Sequence, residues 1–119
     1  MAGFKFETEP VAVPKVSTKF RKINTAIPAP GTNEILKKLD QFESRSMHGQ
    51  LPIVWEKAKH SSVYDIAGNK WIDFTSGIFL TNVGHSNDQV SEAIKTTMSN
   101  DMYSCYAYPN AVRADYLEK

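Results

Sequence analysis

Cysteine is almost absent from the sequence, which has one among its 119 residues. Cys105 therefore has no partner for an internal disulfide and no second thiol at the spacing of metal ligands. A reducing, cytoplasmic compartment is the expectation that follows. Pro10 and Pro14 interrupt the basic amino terminus, which argues against the amphipathic helix of a transit peptide.

The sequence also lacks an excess of one charge and a long apolar run. Its formal net charge is +1, with 14 basic and 13 acidic residues, so no strong field attracts nucleic acid or an anionic membrane. No apolar stretch approaches the roughly 20 residues that cross a bilayer. Glycine-rich phosphate loops are missing as well. We therefore expect no nucleic acid and no membrane among the partners.

Residues 1–31 form the first region of the chain, and prolines recur through it. Proline interrupts both helical and strand periods, so we predict an extended amino-terminal arm. Apolar side chains such as Phe6, Val11 and Phe20 make this arm more apolar than an ordinary solvated linker. Docking on a partner surface is therefore favoured over plain disorder.

Residues 32–119 are predicted to hold alternating helices and short strands. Thr32 is suited to cap a helix that ends near Ser46. Four apolar side chains then share one helix face: Ile35, Leu36, Leu39 and Phe42. A short strand is predicted at residues 53–55.

A β-hairpin is predicted next. Residues 63–66 and 71–74 alternate like strands, with Ile72 and Phe74 on the face opposite Trp71 and Asp73. Gly68 and Asn69 lie in the turn, where both residue types readily adopt positive φ. We interpret Asp65, Gly68 and Asn69 as turn chemistry alone.

Two further helices are predicted. Ser86 and Gln89 have the spacing of a capping box, and the apolar residues that follow keep the helical period. An aromatic loop at residues 103–110 leads to a last helix over residues 111–119. That helix has no closing signal, so we interpret the chain as a piece of a longer protein.

The motif V-Y-D-I-A-G-N-K-W-I-D-F-T-S-G-I spans residues 63–78, and N-V-G-H follows at residues 82–85. Their order and spacing resemble the amino-terminal signature of class III aminotransferases of the ornithine and 4-aminobutyrate type. The resemblance covers about residues 50–119, and it includes the amphipathic helix and the Tyr-Pro-Asn segment. It departs from the commonest pattern at residues 87–88, where family members often have a proline.

The resemblance implies an α/β protein of the fold-type I class of pyridoxal-phosphate-dependent transferases. Residues 1–31 would be its amino-terminal arm, and residues 32–119 a small-domain segment that is truncated before the large cofactor-binding domain. The implied activity moves an amino group from an amino acid or amine to a 2-oxo acid or aldehyde through pyridoxal 5'-phosphate. A homodimer is implied too, because active sites in this family lie between subunits.

Three substrate-binding residues are implied by the same resemblance. Ile78 and Phe79 match positions that face the substrate, where an apolar wall excludes water. Tyr108, with Tyr106 as the less favoured register, matches an aromatic residue beside the substrate. Residue types alone favour ordinary core for residues 77–80, and a subunit-interface position for Tyr108 is an equal alternative.

No catalytic, cofactor-binding or metal-binding residue is assigned to this chain. The family's Schiff-base lysine, its carboxylate at the pyridine nitrogen and its phosphate-binding amides all lie downstream of the matched region. For His85, a cap or an interface role is favoured over a base or metal ligand, because no cysteine or carboxylate stands at ligand-like spacing. The alternative function is a free-standing, non-catalytic small domain that binds a protein partner.

Overall fold

The computed structural model describes residues 6–101 and 108–119. The chain divides into two units, residues 1–87 and residues 88–119. The elements are β1 (Val16–Ser17), β2 (Lys22–Ile23), α1 (Thr32–Phe42), a 3-10 helix (Arg45–Met47), β3 (Trp55–Lys59), β4 (Ser62–Asp65), β5 (Lys70–Ile72), α2 (Ser76–Phe79), α3 (Asp88–Ser99) and α4 (Ala111–Glu118).

The first unit is built on an antiparallel sheet with the strand order β1-β2-β5-β4-β3. β4 and β5 pair with Tyr64 opposite Lys70 and Val63 opposite Trp71, so the predicted hairpin is confirmed. Alternate residues of β4 are buried, and Val63 is only 1% exposed. β5 ends at Ile72, which leaves the last two residues of the predicted strand beyond the sheet.

The strand predicted at residues 53–55 is wrong in its extent. β3 instead covers Trp55–Lys59 and pairs with β4, with Lys59 opposite Ser62. The sequence of β3, W-E-K-A-K, has little apolar alternation of its own. Its extended form is therefore set by hydrogen bonding to the neighbouring strand, which a local pattern does not show.

Residues 6–31, the described part of the predicted arm, are mostly extended and pair with the sheet of the same chain. β1 pairs with β2, and β2 places Lys22 opposite Lys70 of β5. A single bridge between Val11 and Ile27 continues this pairing. Ile23 is only 5% exposed and belongs to the small core. The surface on which this segment docks is thus the chain's own hairpin.

The predicted cap of α1 is wrong. Gly31 occupies the N-cap position with a left-handed φ of 88°, and Thr32 becomes the first helical residue. The Thr32 side chain is buried, and its hydroxyl has no hydrogen-bond partner within the described part of the chain. α1 ends at Phe42 instead of near Ser46, because the next residue, Glu43, has an extended backbone with a ψ of 155°.

The second unit contains α3 and α4, and both predicted helices are confirmed. α3 begins at Asp88, two residues after Ser86, whose hydroxyl donates to the Ala58 carbonyl oxygen at 2.9 Å. α4 begins after Asn110, whose side chain accepts from Arg113 N–H at 2.9 Å. Most of the predicted aromatic loop, residues 102–107, lies outside the described residues. None of the described helices is long and apolar enough to cross a bilayer.

Candidate functional site

A short polar contact in the first unit joins Asp73, just after β5, to His85. His85 Nε2 lies 2.7 Å from Asp73 Oδ2, and their side chains are 12% and 3% exposed. The same oxygen accepts from Gly77 N–H at 2.7 Å. The other oxygen, Oδ1, accepts from the N–H and the hydroxyl of Thr75 at 2.8 and 2.7 Å. A single buried carboxylate thus organises the segment between β5 and the Gly-His motif.

These contacts determine the charge state of Asp73. Burial disfavours its ionised form, but the hydrogen bonds from His85, Thr75 and Gly77 outweigh burial and hold the pKa of Asp73 well below its usual range. An ionised carboxylate only accepts hydrogen bonds. His85 Nε2 therefore carries the proton of the bond between the two side chains.

α2 is one turn of left-handed helix. The φ values of Ser76, Gly77, Ile78 and Phe79 are 51°, 60°, 62° and 67°. Phe79 N–H donates to the Thr75 carbonyl oxygen at 2.7 Å, and Leu80 N–H donates to that of Ser76 at 2.9 Å.

This handedness is unfavourable for residues with a Cβ atom. It costs roughly 1–2 kcal/mol per residue, and β-branched Ile78 is the least suited of the four. Gly77 has no Cβ, and one added there would lie 3.4 Å from His85 Cε1. Such strain persists only where neighbouring contacts hold the backbone in place.

The Gly-His pair at residues 84–85 is anchored to the turn between β3 and β4. His60 and His85 exchange both backbone hydrogen bonds at 2.8 Å. A Cβ at Gly84 would approach the His60 backbone to 3.1 Å, and Gly84 has a φ of 86°, so glycine is required there. The ring of Trp55 meets the His85 ring edge-on at 5.5 Å between centroids. His85 is therefore fixed by strand β3 as well as by Asp73.

A small cleft of about 200 Å³ lies over this pair. Its walls are Asp73 and His85 together with His60, Ser61, Ser76, Thr81, Asn82 and Gly84. Ligand sites usually enclose about 300–1,000 Å³. The cleft alone is therefore too small for a complete substrate site. Among the described residues, no group of three His, Cys, Asp or Glu side chains has the geometry of a metal site.

Two of the residues predicted to bind substrate, Ile78 and Phe79, lie within this strained turn. Ile78 and Phe79 are 63% and 82% exposed, and Leu80 is 81% exposed. These three residues are thus not buried within this chain, and ordinary core in the complete protein stays an untested alternative for this run. Tyr108 lies in the second unit and is 64% exposed, whereas Tyr106 lies outside the described residues. Whether these side chains contact substrate stays a prediction.

The site residues that sequence reasoning missed are Asp73 and His85 acting together. The alternating pattern places Asp73 on a strand face, and the sequence favours a cap or an interface role for His85. The available signal is that both residues belong to the motifs that carry the resemblance, Asp73 in residues 63–78 and His85 in residues 82–85.

The second buried carboxylate, Asp65, has a structural role that exceeds the predicted turn chemistry. Its Oδ1 accepts from the N–H groups of Ala67 and Asn69, which closes the predicted turn. Its Oδ2 accepts from the Asn69 amide at 2.8 Å and from Trp71 Nε1 at 3.2 Å. Asn69 is fully buried and also binds the amino-terminal segment.

The described lysines do not provide a cofactor site. Lys59 and Lys70 donate to the backbone carbonyl oxygens of Ser86 and Lys19, and Lys95 lies 3.7 Å from Glu92 on the surface of α3. Within the part of the chain that the structure describes, no lysine lines the cleft. The described residues therefore do not fit pyridoxal phosphate by themselves, and we assign them no step that uses it.

Comparison with known proteins identifies the class of protein. The sequence pattern of the aminotransferase class-III family matches residues 44–119. The chain belongs to this family, and the resemblance stated from its sequence is confirmed.

Two relatives show the extent of the match. The 4-aminobutyrate aminotransferase of Mycobacterium leprae is 30% identical over 86 residues, which cover 72% of this chain and 19% of that protein. The acetylornithine aminotransferase of Methanocaldococcus jannaschii is 49% identical over 49 residues, which cover 41% of this chain and 12% of that protein. The chain thus spans about a fifth or less of the length of these relatives.

A solved structure shows the same fold. The crystal structure of acetylornithine aminotransferase from Elizabethkingia anophelis covers 73% of this chain with a TM-score of 0.63 at 23% identity. The match takes in 22% of that chain. The matched part of this chain therefore has the fold of part of an aminotransferase.

Proposed function

We propose that this chain is the amino-terminal arm (residues 1–31) and small-domain segment (residues 32–119) of a fold-type I, pyridoxal-phosphate-dependent aminotransferase. The complete protein would move an amino group from an amino acid or amine to a 2-oxo acid or aldehyde. Class III aminotransferases use pyridoxal phosphate as the carrier of that group. The observation that carries the proposal is the class-III match over residues 44–119.

The segment's own contribution is an apolar wall of the substrate pocket, formed by Ile78 and Phe79. Both residues are exposed on the strained turn, so neither is buried in the core of its own unit and both are available to line a pocket. An apolar wall there would shape the pocket and exclude water during the reaction. Tyr108 would add an aromatic surface beside the substrate.

Homodimerisation in the cytoplasm completes the proposal. Five large apolar side chains between residues 74 and 83 are more than half exposed: Phe74, Ile78, Phe79, Leu80 and Val83. Clusters of this kind mark surfaces that other protein covers. The single cysteine is consistent with a reducing compartment.

The proposal is tested first by reading the coding sequence beyond the Lys119 codon. Several hundred further codons that encode a strand-end lysine are expected. The protein encoded by that frame is then assayed with pyridoxal phosphate, an amino donor and a 2-oxo acid. Amino transfer supports the proposal. The proposal would be contradicted by a stop codon directly after the Lys119 codon, or by a complete protein that binds the cofactor without transferring an amino group.

The 119-residue chain by itself is expected to be catalytically silent, since the described residues include no lysine in a suitable site. Titration with pyridoxal phosphate should give only slow, unspecific labelling of surface lysines. A stoichiometric visible absorbance band that turns over with an amino donor would contradict this.

A further inference from the structure

We propose that Asp73 and His85 are positioning residues that hold α2 in its left-handed form. Through α2 they set the direction of Ile78 and Phe79, and hence the selectivity of the pocket for its amino donor. The inference rests on the pocket role proposed above for those two side chains. It assigns no chemical step to either Asp73 or His85.

Asp73 and His85 lie at the two ends of the segment that contains α2, and each is attached to the sheet. Asp73 follows β5 directly, and its Oδ2 binds His85 Nε2 at 2.7 Å. His85 is in turn held by two backbone hydrogen bonds to His60, at the turn between β3 and β4. The carboxylate therefore has a rigid support in two neighbouring parts of the sheet.

The backbone of α2 is held by that same carboxylate. Gly77 N–H donates to Oδ2 at 2.7 Å, and Thr75, just before the turn, donates twice to Oδ1. A right-handed turn at these residues would be favoured by their Cβ atoms. The contacts to Asp73 are thus the side-chain contacts that oppose the intrinsic preference of the backbone.

Ile78 and Phe79 depend directly on this conformation. They follow Gly77 within the same turn, with φ values of 62° and 67°. Since the direction of each Cα–Cβ bond is set by the backbone, a change of handedness would redirect both side chains. An apolar pocket wall placed by such a turn can be moved without changing any wall residue.

A role for His85 as a general base is less consistent with the geometry. Its Nε2 is occupied by Asp73 at 2.7 Å, and its side chain is only 12% exposed. The ring also packs beside Gly77, where a Cβ would lie 3.4 Å from Cε1, and against Trp55. These contacts suit a support for the turn.

The test uses the complete protein that carries this chain, with four variants. Asp73→Asn has one side-chain oxygen in place of two, so either the Thr75 pair of bonds or the bonds to Gly77 and His85 is lost. His85→Leu removes the donor, and His85→Gln restores one near the Nε2 position. Asp65→Asn is the matched control, because Asp65 is a buried carboxylate that accepts several hydrogen bonds but makes none with α2.

Three quantities are measured for each variant: melting temperature, hydrogen exchange of the peptide that spans residues 74–81, and the ratio of kcat/KM between a small and a bulky amino donor. Asp73→Asn and His85→Leu should increase exchange at α2 and change the ratio by about 10-fold or more. His85→Gln should restore the wild-type ratio to within about 2-fold. Asp65→Asn should lower the melting temperature and leave the ratio unchanged.

Two outcomes would overturn the inference. One is a lower melting temperature in Asp73→Asn and His85→Leu with the wild-type ratio, as expected for the Asp65→Asn control. The other is an altered ratio without altered exchange at α2. Should Asp73→Asn fail to fold, the two His85 variants decide alone. If the wild-type protein transfers no amino group, the proposed function fails, and exchange at α2 decides separately whether the pair holds the turn.

Discussion

Asp65 and Asp73 lie in the same small sheet unit, and each uses both carboxylate oxygens to join segments that are separate in sequence. Asp65 Oδ2 binds the amide of Asn69, which reaches the amino-terminal segment. Asp73 Oδ2 binds His85 and the backbone of Gly77. Charge-assisted bonds to buried carboxylates are among the stronger hydrogen bonds in proteins. The structural role of each aspartate thus depends on its hydrogen-bond partners more than on its position in a turn or strand.

The lowered pKa of Asp73 predicts how stability changes with acid. The unfolded-state pKa of an aspartate is about 3.9, and the folded-state pKa of Asp73 lies below it. The contribution of the ionised Asp73 carboxylate to stability is therefore complete above about pH 4. It is lost as the pH falls from there towards the folded-state pKa. Asp73→Asn should lower the free energy of unfolding by about 1–3 kcal/mol at neutral pH. The difference in stability between wild type and variant should become smaller below about pH 4.

Melting temperatures of the complete protein and of Asp73→Asn, measured between pH 7 and pH 2, check this expectation. Asp40→Asn is the control, because Asp40 is 81% exposed and its contact with His48 spans 3.5 Å. Its effect should stay within about 0.5 kcal/mol at every pH. If the difference in melting temperature between wild type and Asp73→Asn is constant from pH 7 to pH 2, the role assigned to the ionised carboxylate is contradicted.

Phe79→Ala should alter selectivity more than stability. The side chain is 82% exposed in this chain, so its truncation should cost the sheet unit little. If Phe79 forms part of the pocket wall, the ratio of kcat/KM between a bulky and a small amine should increase. The change should correspond to about 1–3 kcal/mol of transition-state free energy. Cofactor binding should barely change.

The matched control for this variant is Phe42→Ala, since Phe42 is 79% exposed but lies at the end of α1. It should leave the ratio unaltered. A loss of about 3–5 kcal/mol of stability in Phe79→Ala, with an unaltered ratio, would show that the ring is core in the complete protein. Phe79 would then leave the list of site residues, and Ile78 would be in doubt with it.

Among the elements, the hairpin of β4 and β5 acts as the anchor of the amino-terminal segment. Asn69 Oδ1 accepts from the N–H groups of Asn24 and Thr25 at 2.8 and 3.3 Å, and its amide donates to the Thr25 hydroxyl at 2.7 Å. One side chain of the turn therefore binds a segment more than 40 residues away. The pairing of β2 with β5 lies directly beside it.

Asn69→Ala should release this segment. It removes the acceptor of two backbone donors and the amide bound to Asp65, at a cost of about 1–3 kcal/mol. Hydrogen exchange of residues 20–27 should increase. Gly68→Ala is the control: it strains the turn at a φ of 76° but meets nothing within 4 Å, so exchange in residues 20–27 should remain as in the wild type. Unchanged exchange in Asn69→Ala would refute the anchor.

On the scale of the whole molecule, the sheet unit has little core of its own. Among the described residues, the apolar side chains that are buried are Ile23, Ala29 and Val63. Much larger apolar side chains, including Phe74 and Phe79, are exposed. Small sheets need several strands with a covered apolar face to be stable by themselves.

The isolated 119-residue chain is therefore expected to associate or to unfold without cooperativity. Size-exclusion chromatography with light scattering should show species larger than a monomer, and thermal unfolding should be broad. Replacing Phe79 and Leu80 together by serine should reduce association, whereas replacing Lys37 and Lys38 by serine should not. A monodisperse monomer with a sharp unfolding transition would argue against this expectation and favour a free-standing domain.

Local sequence patterns were sufficient for the hairpin turn and for α3 and α4, because each depends on residues within a few positions of one another. The class III family was recognised from the order and spacing of several short motifs, which the sequence also contains in full. The cap of α1 and the extent of β3 were misjudged because Gly31 and the partner strand decide them. Neither the left-handed α2 nor the bond between Asp73 and His85 follows from local propensity. Twelve residues separate that pair in sequence, and only the sheet brings them together.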